Sequence, residues 1–295
     1  MIKGILDDLK LRYRTGNIAT KLIYYNVVCF FSFLIIGFLL QQFMPTTSMD
    51  RWFALSYDYQ QVFTKPWTIF SYAFMHGDLL HLLFNMLLLY YAGVMFLRYF
   101  RDQDFVTFFV IGILSGAIFF VVFSSSFDRS ANFLVGSSAA IFAVFFALVS
   151  YNPRIPVRLL FFPKSFPLYY VALFLVGLDV FQLFAGKNPG GSLSHLGAAL
   201  AGYLYMKQFE KGNDFVGKAI RAIENFFRRD KKSTFKTSKS KPFSRTHVPK
   251  DDYEYNSMKV EKQKKIDSIL DKISRSGYES LSKEEKDFLF REGRS

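Results

Sequence analysis

Cysteine and histidine are both scarce in this chain of 295 residues. The one cysteine, Cys29, cannot form a disulfide within the chain, and its place in an apolar run favours simple packing. The first twenty residues lack an apolar core followed by a small-residue cleavage site, so no secretory signal is predicted. Of the four histidines, three stand beside other polar residues inside apolar stretches, which makes those places candidate functional sites.

Charged residues are also rare between about residues 20 and 210, whereas residues 211–295 are mostly polar. Hydrophobic residues make up 51% of the chain in spite of this polar end, and the division predicts one membrane domain followed by a tail. Apolar segments stand out as transmembrane helices. We therefore predict an all-α polytopic membrane protein whose bundle of six transmembrane helices spans residues 21–43, 80–98, 104–124, 137–151, 168–186 and 193–210.

Lysine and arginine are unequally divided between the loops, and this division predicts the orientation. The N-terminal segment, the loops after the second and fourth segments, and the tail are rich in basic residues. The other loops hold few for their length. Both termini and the tail are therefore predicted to be cytoplasmic, and the second, fourth and sixth helices then begin at the outer side of the membrane.

Polar residues gather at the starts of these three helices and so at one level of the membrane: His76, His81, Asn85, Gly136, Ser137, Ser138 and His195. A serine hydroxyl becomes a nucleophile when a histidine accepts its proton, and an oxyanion needs hydrogen-bond donors aimed at it. His81 and Asn85, four residues apart, project from one helix face. Backbone N–H groups at the start of a helix have no intrahelical acceptor. A nucleophile, a base and an oxyanion hole are thus available, and no third, acidic member is evident.

The stretches HGDLLHLLFN (76–85), GSSA (136–139) and HLGAALAG (195–202) resemble the motifs of the rhomboid family of intramembrane serine proteases. The resemblance covers about residues 20–210, and three motifs in this order make it specific. It implies that Ser138 is the nucleophile and His195 the general base of a Ser–His dyad. It also implies oxyanion donation by His81, Asn85 and the Ser138 N–H, close backbone approach at Gly136, stacking of Phe142 on His195, and a place near the oxyanion side for His76.

The sequence departs from the family pattern at Ala139, because the family has glycine at the position after the nucleophile. We expect reduced room there and not lost activity. Ser137 is expected to cap the fourth helix, and Gly197, Ala201 and Gly202 are expected to let the sixth helix pack closely on the fourth. Asp179 in the fifth helix has two open interpretations: it bonds a backbone group or a neighbouring helix, or it tunes the opening of its own helix.

The tail carries +8 of the chain's net charge of +13. Residues 207–229 can continue the sixth helix as an amphipathic stretch on the anionic membrane surface. The Ser/Lys/Thr-rich residues up to 257 are typical of a flexible linker, and the remainder predicts a two-helix hairpin with a capping box at SKEE (282–285). The hairpin sequence resembles a small C-terminal module of rhomboids from Bacteroidota-type bacteria, and its partner is unknown.

The sequence thus predicts an intramembrane serine endopeptidase of the bacterial cytoplasmic membrane that cleaves transmembrane helices of single-pass substrates near the outer leaflet. No metal, organic cofactor or nucleic-acid partner is expected. Two other classes stay open: a catalytically inactive rhomboid-like protein that binds transmembrane helices, and a small transporter or channel, which should show internal repeats or charges along several helices. The predicted division is a cytoplasmic segment (1–20), a six-helix protease domain (21–210), a basic linker (211–257) and a helical hairpin (258–295).

Overall fold

A computed structural model describes residues 2–43, 49–124, 133–158, 164–228 and 252–292, and the chain divides into two units, Met1–Asp230 and Lys231–Ser295. The first unit consists mainly of helices: α1 (Ile2–Thr15), α2 (Ile18–Phe43), α3 (Asp50–Phe53), α4 (Tyr59–Thr64), α5 (Thr68–Ser71), α6 (Leu79–Phe96), α7 (Asp102–Phe123), α8 (Ser138–Tyr151), α9 (Leu168–Phe184), α10 (Pro189–Glu210) and α11 (Phe215–Arg228). Its strands form two short antiparallel pairs: β1 (Leu55–Ser56) with β2 (Phe133–Leu134), and β3 (Pro156–Arg158) with β4 (Ser165–Pro167).

Helices α2 and α6 to α10 coincide with the six apolar segments of the sequence. Within the described residues, α2, α6 and α7 are long and apolar enough to cross a membrane, and α8 and α9 are shorter apolar helices. The sixth of these helices, α10, begins at Pro189 and not at residue 193 as predicted. Asn188 adopts a left-handed conformation and its side chain accepts a hydrogen bond from Gly191 N at 3.2 Å. Proline fits the first position of a helix. The helix can therefore begin at Pro189 and include the two glycines that follow it.

Helix α8 is the innermost element, since every residue from 139 to 148 is buried. It packs chiefly on α10 and α7, and glycines make both contacts close. A Cβ added to Gly202 of α10 would overlap the carbonyl oxygen of Ala143, and one added to Gly112 of α7 would lie 2.6 Å from Cα of Ala140. Small residues of this kind let membrane helices approach each other closely.

The predicted role of Gly202 is confirmed by this contact, but the same prediction for Gly197 is wrong. A Cβ on Gly197 would meet the ring of Phe119 on α7, not α8. Residues five apart on an α-helix point about 140° apart, because each residue turns the helix by about 100°. Gly202 therefore faces α8 and Gly197 faces α7, so α10 presents a glycine to each of these two helices.

Gly202→Ala should destabilise the helix bundle by about 1–3 kcal/mol, because the added methyl group must displace the backbone of α8. The midpoint of unfolding in a sodium dodecyl sulfate titration measures the loss. Gly177→Ala on α9 is the matched control, since a Cβ there meets nothing within 4 Å and alanine favours helix over glycine. We expect the control to unfold at or slightly above the wild-type midpoint. Equal losses in the two variants would contradict the close contact.

The chain just before α8 is held by contacts with the segment before α6. Strand β1 pairs with β2 in the register Leu55↔Leu134, and Gly136 N donates to the carbonyl oxygen of Tyr72 at 2.9 Å. The hydroxyl of Tyr72 donates in turn to the carbonyl oxygen of Ile113 on α7 at 2.8 Å. Strands of two residues are too short to leave a recognisable alternation in a sequence, which is why they were not predicted.

The amphipathic stretch after α10 does not continue that helix as predicted but forms the separate helix α11 after a break at 211–214. Gly212 has a φ of 82°, a left-handed conformation that commonly ends helices. Asp214 then accepts hydrogen bonds from Tyr205 Oη, Gly217 N and Arg221 Nη2 at 2.6–3.0 Å. Burial alone would raise the pKa of Asp214, but these hydrogen bonds outweigh it, so the pKa lies below its ordinary value and the carboxylate stays charged.

The second unit contains α12 (Asp252–Ser276) and α13 (Lys283–Glu292), with a 3-10 turn between them. Ser282 and Glu285 form the capping box that the sequence predicts: Ser282 N donates to Glu285 Oε2 at 2.7 Å, and Glu285 N donates to Ser282 Oγ at 3.3 Å. Lys272 Nζ of α12 donates to the same carboxylate at 2.9 Å and so ties the two helices together. Residues 229–251 of the predicted linker lie outside the described residues.

Candidate active site

Ser138 and His195 are brought together by the packing of α8 on α10. Ser138 is the first residue of α8, and His195 lies in the second turn of α10. The Oγ atom of Ser138 is 2.7 Å from the Nε2 atom of His195, which is a hydrogen bond. Both residues are half-buried. In this arrangement an imidazole nitrogen can take the proton of the hydroxyl and make the oxygen nucleophilic.

The ring of His195 is held from one face by Phe142. The two ring centroids are 4.4 Å apart and the planes are inclined by 17°, a stacked pair. Phe142 lies one turn after Ser138 on α8, so a single helix supplies both the hydroxyl and the surface that orients its partner. Phe146, one turn further, stacks on Phe142 with a centroid distance of 6.0 Å and extends the support.

His81 and Asn85 of α6 line the cavity in front of Ser138. Asp78 caps α6 by accepting from His81 N at 2.8 Å, and Gly77 N donates to His81 Nδ1 in a long hydrogen bond of 3.4 Å. Because Nδ1 accepts, the ring proton belongs on Nε2, where it can be donated to a ligand. Asn85 Nδ2 donates to the His81 carbonyl oxygen at 3.0 Å and carries a second hydrogen that a ligand can accept.

Gly136 lies between His81 and Ser138, where only glycine fits. Its φ is 115°, and an added Cβ would lie 2.9 Å from His81 Nε2 and 3.7 Å from Ser138 Oγ. Both the conformation and the close approach exclude a side chain.

His76 is buried and packs its ring edge-on against His81, with centroids 5.2 Å apart. The two histidine rings therefore restrain each other.

Ser137 does not cap α8 in the predicted way. It occupies the N-cap position, but its φ of −78° and ψ of 0° are those of a helical residue, and its side chain makes no capping hydrogen bond. A capping side chain needs an extended backbone to reach the free N–H groups. The hydroxyl of Ser137 is buried without a hydrogen-bond partner among the described residues, so the two adjacent serines differ clearly in their surroundings.

An acidic residue completes the contacts of His195. Oδ1 of Asp179, on α9, lies 2.9 Å from Nδ1 of His195, and the Asp179 side chain is 4% exposed. No acidic partner for His195 is evident from the sequence alone, but the structure places one at hydrogen-bond distance. Of the two interpretations of Asp179, the bond to a neighbouring helix is the one observed. The positions of the two residues could have indicated this contact, because α9 and α10 form a hairpin and Asp179 and His195 lie at nearly equal distances from its turn.

A cavity of about 410 Å³ opens in front of Ser138. Its polar lining includes His81, Asn85 and His195, and its apolar lining includes Phe84 and Leu134. Apolar walls with a few convergent polar groups are typical of ligand sites. The polar side chains of this lining supply hydroxyl, imidazole and amide groups. Among the described residues no group of three or more potential metal ligands occurs.

Comparison with known proteins gives a match over the part of the chain that holds this site. Residues 64–209 match the rhomboid domain. The chain is also similar to "RHOMBOID-like protein 12, mitochondrial" of Arabidopsis thaliana, with 26% identity over 158 residues, 49% of this chain and 47% of the relative. The chain therefore spans about half the length of that relative. Residues 251–291 match a family of unknown function, DUF6576. The rhomboid matches support membership of the rhomboid family and, with the three long apolar helices, indicate an integral membrane protein.

Within the matched residues 64–209, Ala139 contacts α7 and does not line the cavity. A Cβ on Gly116 of α7 would lie 2.6 Å from the Cβ of Ala139, so the missing side chain of Gly116 makes space for the alanine methyl group. Ala139 is 1% exposed and is not among the described residues that line the cavity. The expected reduction in room at this position is therefore absorbed by helix packing.

Proposed function

We propose that the protein is an intramembrane serine endopeptidase in which Ser138 is the nucleophile and His195 the general base. The observation that carries the proposal is the 2.7 Å hydrogen bond between Ser138 Oγ and His195 Nε2. The stacking of Phe142 on His195, which restricts the imidazole, supports it, as does the match of residues 64–209 to the rhomboid domain.

In the proposed reaction, His195 Nε2 accepts the hydroxyl proton of Ser138 while Oγ bonds to the carbonyl carbon of the scissile peptide. The charge that develops on the carbonyl oxygen is stabilised by N–H groups of His81, Asn85 and the Ser138 backbone. His195 then gives its proton to the leaving amine, the C–N bond breaks, and an acyl-enzyme remains. A water molecule that loses a proton to His195 releases the acyl group and restores the serine hydroxyl.

The proposed setting is the bacterial cytoplasmic membrane, with both termini in the cytoplasm and single-pass transmembrane proteins as substrates. Helix α8 has 14 residues, which gives a length of about 21 Å at 1.5 Å per residue, against about 30 Å for the hydrocarbon core. With the inner end of α8 at the inner interface, a site at its first residue would lie several ångströms below the outer surface of the hydrocarbon core. Substrate segments with residues that favour helix weakly would present an extended bond there most readily.

A fluorophosphonate probe tests the nucleophile directly, because it labels serines whose hydroxyl is activated by a base. The purified full chain in detergent is incubated with the probe beside its Ser138→Ala and Ser137→Ala variants. We expect the wild type and Ser137→Ala to be labelled and Ser138→Ala to stay unlabelled. Ser137 is the matched control, since it is the adjacent serine and makes no described contact with a base.

Two results would contradict the proposal. Labelling of Ser138→Ala would place the activated serine elsewhere in the chain. A folded wild type that neither takes the probe nor cleaves a transmembrane peptide would favour the other reading of the sequence, a rhomboid-like protein that binds transmembrane helices without cleaving them.

A further inference from the structure

Asp179 is the one acidic residue of α9, and the fold buries it. It is one of three residues of this helix that are buried, with Leu168 and Ala172, whereas large apolar side chains such as Phe174 and Phe181 are exposed. A helix facing lipid is expected to turn apolar side chains outward, and burying a lone carboxylate is costly because it loses its hydration. The position of Asp179 therefore calls for a partner that compensates the buried charge.

His195 is that partner. Oδ1 of Asp179 lies 2.9 Å from His195 Nδ1, while Oδ2 is buried and has no hydrogen-bond partner among the described residues. Buried polar groups usually have a hydrogen-bond partner. The hydrogen bond that this carboxylate makes among the described residues is directed at the ring of the histidine next to Ser138.

We infer that Asp179 is a positioning residue that forms a Ser–His–Asp triad with Ser138 and His195. An ionised carboxylate can only accept hydrogen bonds, so the ring proton of His195 belongs on Nδ1. Nε2 then presents its lone pair to the hydroxyl of Ser138, as a general base must. The same carboxylate lies beside the positive charge that forms on the ring when His195 takes the proton, and stabilises it. This role of Asp179 rests on the proposed serine-protease function.

The triad makes the reaction depend on the position of α9. Asp179 is on α9 and His195 on α10, and α9 contacts α10 more extensively than it contacts α8. An outward movement of α9 by about 1 Å would lengthen the 2.9 Å contact beyond the range of a hydrogen bond. The Asp179–His195 hydrogen bond therefore requires α9 to keep its present position on α10.

Asp179→Asn tests the triad, because asparagine keeps the size of the side chain and can still bond Nδ1, now by donating from Nδ2. The donated bond leaves the ring proton on Nε2, the wrong nitrogen for a base that faces Ser138. We expect kcat for a transmembrane peptide in liposomes to fall by about 10⁴-fold, the loss seen when an aspartate of a serine-protease triad is changed in this way. KM and the midpoint of unfolding should stay near their wild-type values.

Asp179→Glu separates positioning from a purely structural role. Glutamate keeps the carboxylate, so it should recover part of the rate that Asp179→Asn loses. A structural contact predicts the reverse order, since asparagine preserves the shape and one hydrogen bond, whereas the extra methylene of glutamate must be fitted into a packed interface. Asparagine that is harmless and glutamate that is harmful would overturn the proposed role.

The tautomer of His195 is a second readout that needs neither a substrate nor activity. In protein labelled with ¹⁵N-histidine, the ring nitrogen shifts report which nitrogen is protonated, and the signal lost in His195→Ala identifies it among the four histidines. We expect the proton on Nδ1 in the wild type and on Nε2 in Asp179→Asn. A wild-type ring protonated on Nε2 alone would overturn the triad.

Failure of the triad and failure of the proposed function have different signatures. A wild type that cleaves, with an Asp179→Asn variant that cleaves equally well, would refute the triad and leave the protease function standing. A wild type that does not cleave but carries the proton on Nδ1 would refute the protease function while supporting the arrangement of Asp179 and His195.

Discussion

Ser138→Ala and His195→Ala are each expected to lower kcat for peptide cleavage by about 10⁶-fold, and the double variant no further. The two side chains act as a unit, because the Ser138 hydroxyl, 2.7 Å from His195 Nε2, is the proton donor of the first step. Once either is lost, the proton transfer of the first step lacks its donor or its acceptor and cannot take place. The rate is measured with the full chain in liposomes and a single-pass transmembrane peptide, whose fragments are identified by mass spectrometry.

Ser137→Ala is the control for this pair of variants, since it removes the adjacent hydroxyl without touching His195. It should cleave at the wild-type rate, and all variants should unfold near the wild-type midpoint. Losses that multiply in the double variant would show that the two residues contribute to separate steps. A His195→Ala variant with the wild-type rate would exclude histidine as the base.

Some contacts of the site can be predicted from the sequence alone, and others cannot. His81 and Asn85 are four apart, so their common face on α6 follows from helical geometry. The distance between Ser138 and His195 cannot be obtained this way, because it depends on how closely α8 and α10 cross. That approach is set partly by the contact of Gly202 with the backbone of Ala143, which a pattern of small residues indicates but does not measure.

The contact between Asp179 and His195 is harder still to predict from the sequence. Two antiparallel helices bring residues at equal distances from their turn to the same level, but the register depends on where each helix begins. The sequence predicts a start at residue 193, which would put His195 in the first turn. The left-handed Asn188 moves the start to Pro189 and adds a turn before the histidine. The backbone conformation of Asn188 thus helps to decide whether His195 lies level with Asp179.

Gly136→Ala is expected to lower kcat by about 10²–10³-fold, the loss typical of removing one oxyanion donor. The added Cβ would lie 2.9 Å from His81 Nε2, so the ring must turn away from the position in which it donates. Gly186→Ala is the matched control: its φ of 66° is also left-handed, but its Cβ would meet nothing within 4 Å. The control should keep its kcat and lose about 1–2 kcal/mol of stability from backbone strain.

A double variant separates the contact with His81 from the strain at Gly136. If the added methyl group acts by displacing the His81 ring, then Gly136→Ala should cause little further loss in a His81→Ala background, where that ring is absent. If the losses multiply, the methyl group acts instead through the backbone, since Gly136 N is held by the Tyr72 carbonyl oxygen at 2.9 Å and Ser138 is two residues on. Losses that do not multiply would therefore assign His81 Nε2 as the donor for which Gly136 leaves room, and would locate the carbonyl oxygen of the substrate between the starts of α6 and α8.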